Sequence, residues 1–354
     1  MWILDRYIAR NIIAYAMASL LVLVVLQLVF AFIDEMGDVG KGSYSALIAL
    51  KYILLTAPRR ISELFPIAAL LGTLLGLGGM AASSEITVIR SAGVSIERIV
   101  RSVLQAGLLL MFFAFAIGEF VTPVAEEVGH SMRVNAISGK VSLFRKKGFW
   151  VRDGDRFLFV RDAVTQGQLR DIRAISFTDK GELESIISAK DASYIDNGWR
   201  LQQLSKIDYR QSGNHKQELK YFDIESKLQP EMLQVVSSRP EMMSLWQIGA
   251  YIDYLAENQL ETQTYKLAFW DKIVAPFATL VMLMLGVPFV FGSQRNNSAG
   301  HRLMVGVLIG IGFFLLNKIL GTAGLVYGFS AIACAVLPAL FFAIWAFVAI
   351  RRVH

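Results

Sequence analysis

The sequence predicts a membrane α-helical fold with six transmembrane helices and an inserted antiparallel β domain. Three observations support this prediction: long apolar runs without charge, a mid-chain region with frequent charges and a period of two, and basic residues concentrated on one side of the membrane. Hydrophobic residues make up 55% of the chain, and its mean hydropathy is +0.49. Such a composition is too apolar for a soluble domain of this size.

Uncharged apolar runs identify the membrane spans. A helix needs about 20 mostly apolar residues to cross a bilayer. No charged residue occurs in the intervals 11–33, 64–84, 102–118, 273–294 and 319–350. We predict spans at 12–33, 62–82, 101–121, 273–293, 302–321 and 329–349. The segment 43–60 is apolar but short and contains Lys51, which favours an interfacial helix, although an extension of a neighbouring span stays open.

Basic residues in the short loops predict the orientation of the chain. Lysine and arginine are enriched on the cytoplasmic side of membrane proteins. They are most frequent on the side that carries both termini, at Arg6, Arg10, Arg90, Arg98, Arg101, Arg295, Arg302, Arg351 and Arg352. The opposite side has fewer, at Lys41, Lys51, Arg59 and Arg60. Both termini are therefore predicted to be cytoplasmic. The net charge of +6 reflects this placement, and no nucleic acid partner is expected.

The region 122–272 differs in character from the spans and is predicted to lie outside the cytoplasm. Turn dipeptides at 153–154 (Asp-Gly) and 197–198 (Asn-Gly) separate apolar runs, which is a strong hairpin signal. We predict an antiparallel β domain at about 140–238. The strand 157–160 is apolar on both faces. This leaves two interpretations open: one face is core and the other is a greasy groove, or neighbouring strands cover both faces.

Patterns typical of enzymes and metal sites are absent from the sequence. The four histidines have no partner at a metal-ligand spacing, and "GKGS" at 40–43 lacks the spacing of a phosphate loop. The single cysteine, Cys334, excludes an intramolecular disulfide. We therefore expect no catalytic residue, no metal and no cofactor. If the protein performs work that requires energy, another chain must supply it.

A short charged segment, "AASSEITVIRSAGVSIERIVRS" at 81–102, separates the second and third predicted spans. Ser83 or Ser84 would cap a helix that starts near Glu85, and Gly93 would end it. One interpretation is a helix lying on lipid headgroups; the other is a docking helix whose Glu85 faces a basic residue of a cytoplasmic partner. In the second case the residues filling the partner's groove would be Ile86, Val88 and Ile89.

Several segments together carry a family resemblance. They are the start "LDRYIARNIIAY", the "PIAALLGTLLGLG" span, the "SSEITVIRSAGVS" loop, the mid-chain β domain and the "LVYGFSAI" hairpin. In combination they resemble the LptF/LptG family, the permease subunits of the lipopolysaccharide exporter of Gram-negative bacteria. The resemblance covers essentially the whole chain. The start and the "GSY" after the first span are more similar to the G-type subunits than to the F-type.

The resemblance implies an inner-membrane permease with several partners. These are an F-type permease subunit, a cytoplasmic ATPase dimer, a bitopic jellyroll accessory subunit and a periplasmic bridge protein. Lipopolysaccharide would enter between the spans and pass through β-jellyrolls, one of them the domain at about 140–238. The implied domains are 1–121 with a coupling helix at about 83–93, the periplasmic region 122–272, and 273–354 with the last three spans.

The resemblance also implies site residues. Glu85 matches the family's acidic position that meets the ATPase, and the expected supporting contacts are Ile86, Ile89 and Arg90. Arg133 and Lys41 are candidates for the phosphates and carboxylates of lipopolysaccharide; interface anchoring is the alternative for both. The segment "DEMGDVGKG" departs from the family because it is acidic where some members are lysine-rich. The expected acyl-chain contacts are Val25, Phe30, Leu70, Leu74, Val307 and Ile311.

Two other function classes are alternatives: a secondary carrier working alone, and a sensor or scaffold with an extracytoplasmic β domain. A carrier is expected to have acidic residues in the middle of the membrane, and a sensor needs a cytoplasmic output domain. The sequence indicates neither. Glu119 and Lys318 lie near predicted span ends, where snorkelling toward water is a sufficient explanation.

Overall fold

A computed structural model describes residues 3–138, 149–153, 156–165, 167–178, 182–195, 198–210, 213–226, 240–291 and 299–352. The helices are α1 (Ile3–Glu35), α2 (Ala46–Leu55), α3 (Ala57–Ala82), α4 (Glu85–Ser91), α5 (Ile96–Ala116), α6 (Thr122–Ser138), α7 (Leu245–Glu257), α8 (Gln263–Phe291), α9 (Ala299–Tyr327) and α10 (Ala331–Arg351). The strands are β1 (Phe149–Asp153), β2 (Arg156–Thr165), β3 (Gln168–Phe177), β4 (Leu183–Ile195), β5 (Gly198–Arg210) and β6 (Gly213–Glu225).

Six helical segments among the described residues are long and apolar enough to cross a membrane. They are α1, α3, α5 with its continuation, α8, α9 and α10, which confirms the six predicted spans. Helix α2 has only 10 residues and is too short to span, as predicted for 43–60. The third helix continues past the predicted end of its span at 121, through a π-helical turn, Ile117–Val121, into α6.

Helix α3 lies at the centre of the bundle. Its apolar stretch is 78% buried, compared with 17% for α1 and 11% for α9. Helix α1 approaches α3 closely because Gly72 and Gly76 have no side chain at the contact. A Cβ atom on Gly72 would lie 2.5 Å from the Cβ of Ala16, and Asn11 donates a 3.1 Å hydrogen bond to the Gly76 carbonyl. These contacts hold α1 along one side of α3.

Helix α9 packs on a different side of α3. Its Gly306 lies against Leu71 and Leu74, and its Gly310 lies against Ile67. With 3.6 residues per turn, these α3 positions fall on one face, about half a turn from the glycines that contact α1. Helices α1 and α9 therefore flank α3 on opposite sides.

The strands form one antiparallel sheet in the order β1 to β6, which confirms the predicted inserted β domain. The hairpins occur where the sequence predicts them: β1 and β2 meet at Asp153 and Arg156, and β4 and β5 meet at Ile195 and Gly198. Gly154 and Asn197 lie outside the described residues. Among the described strands the sheet is an up-and-down meander, without the Greek-key crossovers that characterise a jellyroll.

The alternation of buried residues shifts at one level across three adjacent strands. Inward-facing residues normally alternate, but here buried residues are three positions apart in β3, β4 and β5. Positive φ angles at Asp171 (55°) and Gln203 (51°) accompany this shift, while the pairing register of the strands is the same on both sides of it. The buried pairs are Leu169 and Ile172, Ala189 and Ala192, and Leu201 and Leu204.

Helix α7 packs against the inner face of the sheet. Its Ile248, Tyr251, Tyr254 and Leu255 share one hydrophobic core with the inward-facing strand residues, and Tyr254 donates a 2.7 Å hydrogen bond to a backbone carbonyl of β1. The inner face is thus core, as the first interpretation expected for one face, but a helix covers it, which neither interpretation included.

Candidate coupling and substrate sites

Helix α4 lies between α3 and α5 at the end of the bundle where α1 begins and α10 ends, which we call the termini end. It runs from Glu85 to Ser91, and Gly93 (φ 86°) ends the unit as predicted. The predicted serine cap does not form. A capping residue normally has an extended backbone conformation. Ser84 occupies the capping position with a left-handed backbone (φ 62°) and therefore makes no capping hydrogen bond.

The carboxylate of Glu85 is held from two sides. The Ser83 hydroxyl donates to Oε1 and the Tyr7 hydroxyl donates to Oε2, each at 2.9 Å. The side chain stays half-exposed, and each oxygen retains a further lone pair. The carboxylate is therefore oriented and can still accept hydrogen bonds from a guanidinium. Sequence reasoning missed Tyr7, because 78 positions separate it from Glu85.

The remaining predicted coupling residues lie on two faces of α4. Ile86 is buried and Ile89 half-buried, and both pack against the bundle core. Arg90 is exposed, and Val88 is 65% exposed. Ile86 thus holds α4 on the bundle and has little surface for a partner, whereas Arg90 and Val88 are accessible.

Both predicted cationic substrate contacts are already paired at the opposite end of the bundle. Arg133 donates to Glu35 and to Asp38, and Lys41 also donates to Asp38. The guanidinium of Arg133 lies over the ring of Tyr44, 5.8 Å from its centroid. The acidic segment at 34–42 thus supplies the carboxylates that neutralise these cations. We call Glu35, Asp38, Lys41 and Arg133 the ion cluster.

Tyr44 fixes the ion cluster between α1 and α6. It is fully buried, and its hydroxyl donates to Glu35 at 2.9 Å. Burial and the Glu35 carboxylate raise the pKa of Tyr44 above its ordinary value, so the hydroxyl remains a donor. The neighbouring Ser43 donates through its backbone N–H (2.8 Å) and its hydroxyl (3.0 Å) to the carbonyl of Ala136 in α6.

The predicted acyl-chain contacts separate into two groups. Leu70 and Leu74 are fully buried in a cluster with Met282 and Phe342, so they present no surface to a ligand. The others are exposed or half-buried, namely Val25, Phe30, Val307 and Ile311.

Between α1 and α9, the side of α3 is less covered in its last two turns than at Ala68, which lies on the same side and is buried. Leu75 on this side is half-buried, and Gly79 is exposed, with open space for 4 Å around the point that a Cβ atom would occupy. Helical geometry places both residues between the α1 contacts and the α9 contacts. We call this surface the α3 furrow. Sequence reasoning missed it, because hydropathy alone does not distinguish the faces of an apolar helix.

The comparisons with known proteins agree with this architecture. Residues 6–352 match the family described as "Lipopolysaccharide export system permease LptF/LptG". A relative from Haemophilus influenzae, named lipopolysaccharide export system permease protein LptG, is 36% identical over 345 residues, which cover 96% of this chain and 95% of the relative. A relative of the same name from Escherichia coli K12 is 33% identical over 355 residues, covering 99% and 98%. With the family matched along nearly its whole length, this chain belongs to the LptF/LptG family of lipopolysaccharide export system permeases.

Proposed function

We propose that this chain is the G-type permease subunit of an ATP-driven lipopolysaccharide exporter in a bacterial inner membrane. It extracts lipopolysaccharide from the outer leaflet and passes it to a periplasmic bridge protein. The observation that carries the proposal is the pre-oriented, half-exposed carboxylate of Glu85 on the short helix that follows the central helix α3. Both relatives bear a name that describes the same activity.

The termini end of the bundle is the cytoplasmic end in this proposal, and the β domain is periplasmic. The excess of basic residues in the short loops of the termini end supports this orientation. Helix α4 then faces the cytoplasm, where an ATPase dimer binds it. Glu85 accepts hydrogen bonds from a basic residue of the ATPase, while Arg90 and the exposed Val88 extend the contact.

Movement of α4 reaches the substrate site through α3. The two helices are separated only by Ser83 and Ser84, and α3 contacts α1 and α9 on opposite sides through close glycine contacts. Packed helices transmit displacement as rigid elements rather than deforming. ATP-driven motion at Glu85 therefore changes the spacing of α1 and α9 around the α3 furrow.

Exposed apolar residues of α1 and α9 nearer the ion cluster, such as Val25, Phe30 and Ile311, hold the acyl chains, because lipopolysaccharide is taken from the outer leaflet. Other exposed apolar residues of these two helices offer a surface to the F-type subunit and the accessory subunit. The phosphates of lipopolysaccharide meet the ion cluster, where they exchange with Glu35 and Asp38 on Arg133. Charge-assisted hydrogen bonds of this kind suit both carboxylate and phosphate, so the exchange needs no large rearrangement.

Copurification tests the proposal. The tagged chain, coexpressed with its F-type subunit and the ATPase, is expected to retain the ATPase after solubilisation. Glu85→Lys reverses the charge at the contact and should abolish that retention. Glu97→Lys is the matched control, because Glu97 is exposed in the first turn of α5 at the same end. Full retention of the ATPase and normal lipopolysaccharide delivery in Glu85→Lys would contradict the coupling role.

A further inference from the structure

The third spanning helix contains an irregular turn where it approaches the β domain. Residues Ile117–Val121 form the π-helical turn between α5 and α6, and the Thr122 hydroxyl donates to the carbonyl of Ile117 at 3.1 Å. Such turns interrupt the α-helical hydrogen-bond ladder and are frequent at functional sites. Glu119 lies in this turn. Snorkelling does not describe it, because its carboxylate is bound within the protein.

Glu119 and Lys272 bind the backbone on either side of Ser244. Both carboxylate oxygens of Glu119 accept from the Leu245 N–H, at 2.9 and 3.0 Å. The ammonium of Lys272, from α8, donates to the Met243 carbonyl and lies 3.6 Å from Glu119. Glu119 and Lys272, from two membrane helices, thus bind one backbone N–H and one backbone carbonyl of the short segment at 243–245. We call Glu119 and Lys272 the α7 clamp.

The α7 clamp adds to a helix start that is already capped. Ser244 accepts from the Gln247 N–H at 3.2 Å, and Gln247 accepts from the Ser244 N–H at 2.8 Å, which completes a capping box. This cap does not reach Leu245, one of the first N–H groups that lack a partner within a helix. Glu119 supplies that partner from another element, where the helix dipole favours a negative charge.

Helix α7 links the clamp to the sheet, since its apolar residues are part of the core of the β domain. On the membrane side, Glu119 stands at the end of α5, which begins directly after the α4 corner. A continuous path therefore runs from α4 through α5 and the π-helical turn to α7 and the strands.

We propose that the α7 clamp couples rearrangement of the membrane helices to the β domain during transport, with Glu119 as the positioning residue for α7. The inference rests on the proposed function. The side chains of Glu119 and Lys272 are only 13% and 18% exposed, so solvent screens their attraction less than that of a surface pair. When α5 and α8 move relative to each other, the clamp passes that movement to the start of α7.

The test measures lipopolysaccharide delivered per ATP hydrolysed by the complete exporter in liposomes. Glu119→Gln retains an acceptor oxygen for Leu245 but removes the charge that attracts Lys272. We expect the delivery ratio to fall about fivefold, the lower end of typical coupling effects, while ATP hydrolysis continues. Lys272→Gln should cause the same loss, and the double variant should lose no more than either single variant, as expected for residues that act as one unit.

Glu127→Gln is the matched control, because Glu127 is exposed on α6 of the same continuous helix. It should keep the wild-type ratio. If the delivery ratio is unchanged in both Glu119→Gln and Lys272→Gln, the proposal is overturned. This holds even if the yield of the complex falls, because a purely structural role lowers the yield without changing the ratio. A wild-type complex that delivers no lipopolysaccharide would instead refute the proposed function.

Discussion

At the residue scale, Glu85 depends on a tyrosine from another helix for its orientation. Tyr7→Phe removes the hydrogen bond to Oε2. Because this hydrogen bond lies at an exposed position, we expect ATPase binding to become weaker without being abolished. Titration of the ATPase onto the permease pair in nanodiscs measures this affinity.

A double-mutant cycle separates this role from a general effect on α1. In a Glu85→Ala background, Tyr7→Phe should cause no further loss. Tyr15→Phe, at an exposed tyrosine on the same helix, should leave binding unchanged. Equal losses from Tyr7→Phe with and without Glu85 would show that Tyr7 acts on the ATPase contact by another route.

The ion cluster supports a second prediction at this scale. Replacing both carboxylates, by Glu35→Gln with Asp38→Asn, leaves Arg133 and Lys41 without the acidic partners they have now. Binding of lipopolysaccharide should become tighter and more dependent on salt, since screening weakens attraction between newly available charges and phosphate. Crosslinking of lipopolysaccharide to the solubilised complex at two salt concentrations measures both effects. The same gain with dephosphorylated lipopolysaccharide would exclude phosphate as the ligand of the cluster.

The sequence predicted the cations of this cluster but not their partners. Arg133 was identified by its place after the third span, whereas Glu35 and Asp38 are 98 and 95 positions away in the chain. They come together only because α2 and the segment before it pack against α6 and place the end of α1 beside it. Similarly, the acid at position 85 was predictable from its loop, and the tyrosine that orients it was not.

At the element scale, the two faces of α4 should respond differently to mutation. Val88→Asp places a charge on the exposed face and should weaken ATPase binding without lowering the melting temperature. Ile86→Ala removes buried apolar volume and should destabilise the protein by about 2 kcal/mol or more. Thermal unfolding in detergent, combined with the ATPase titration, distinguishes the two. Strong destabilisation by Val88→Asp would mean that this face is covered within the chain.

The contact between α1 and α3 should be sensitive to a single methyl group. Alanine at Gly72 would place its Cβ 2.7 Å from backbone atoms of Ala16, whereas a Cβ at Gly79 meets open space. Gly72→Ala should therefore destabilise by about 1–3 kcal/mol, as overpacking does. Gly79→Ala should stabilise slightly, since alanine is the better helix former. Melting temperatures of the two variants test this, and equal values would contradict the close approach.

The sequence predicted which helices and strands exist better than it predicted where they end or what they pack against. Hydropathy identified all six spans, and the turn dipeptides predicted two hairpins. The continuation of the third helix into α6 was not predicted, because no sequence signal marks a π-helical turn. The packing of α7 on the sheet was not predictable either, because the sequence of an amphipathic helix does not indicate what covers its apolar side.

At the scale of the whole molecule, two paths lead away from α4. One passes through α3 to α1, α9 and the α3 furrow; the other passes through α5 and the α7 clamp to the β domain. In the proposed function, opening of the furrow and movement of the β domain are therefore connected to the same contact with the ATPase. The sequence could not predict this arrangement, since it depends on which faces of α3 meet which helices. Leu70 and Leu74, predicted as substrate contacts, lie instead in the core that holds α3 in place.

ATP-dependent delivery of lipopolysaccharide is the most direct test of the proposed function. Liposomes would contain this chain, its F-type subunit, the accessory subunit and the ATPase, with a bridge protein as acceptor outside. We predict that lipopolysaccharide reaches the acceptor only when ATP is present and only when this chain is included. Delivery at the same rate without ATP, or from liposomes that lack this chain, would contradict the account.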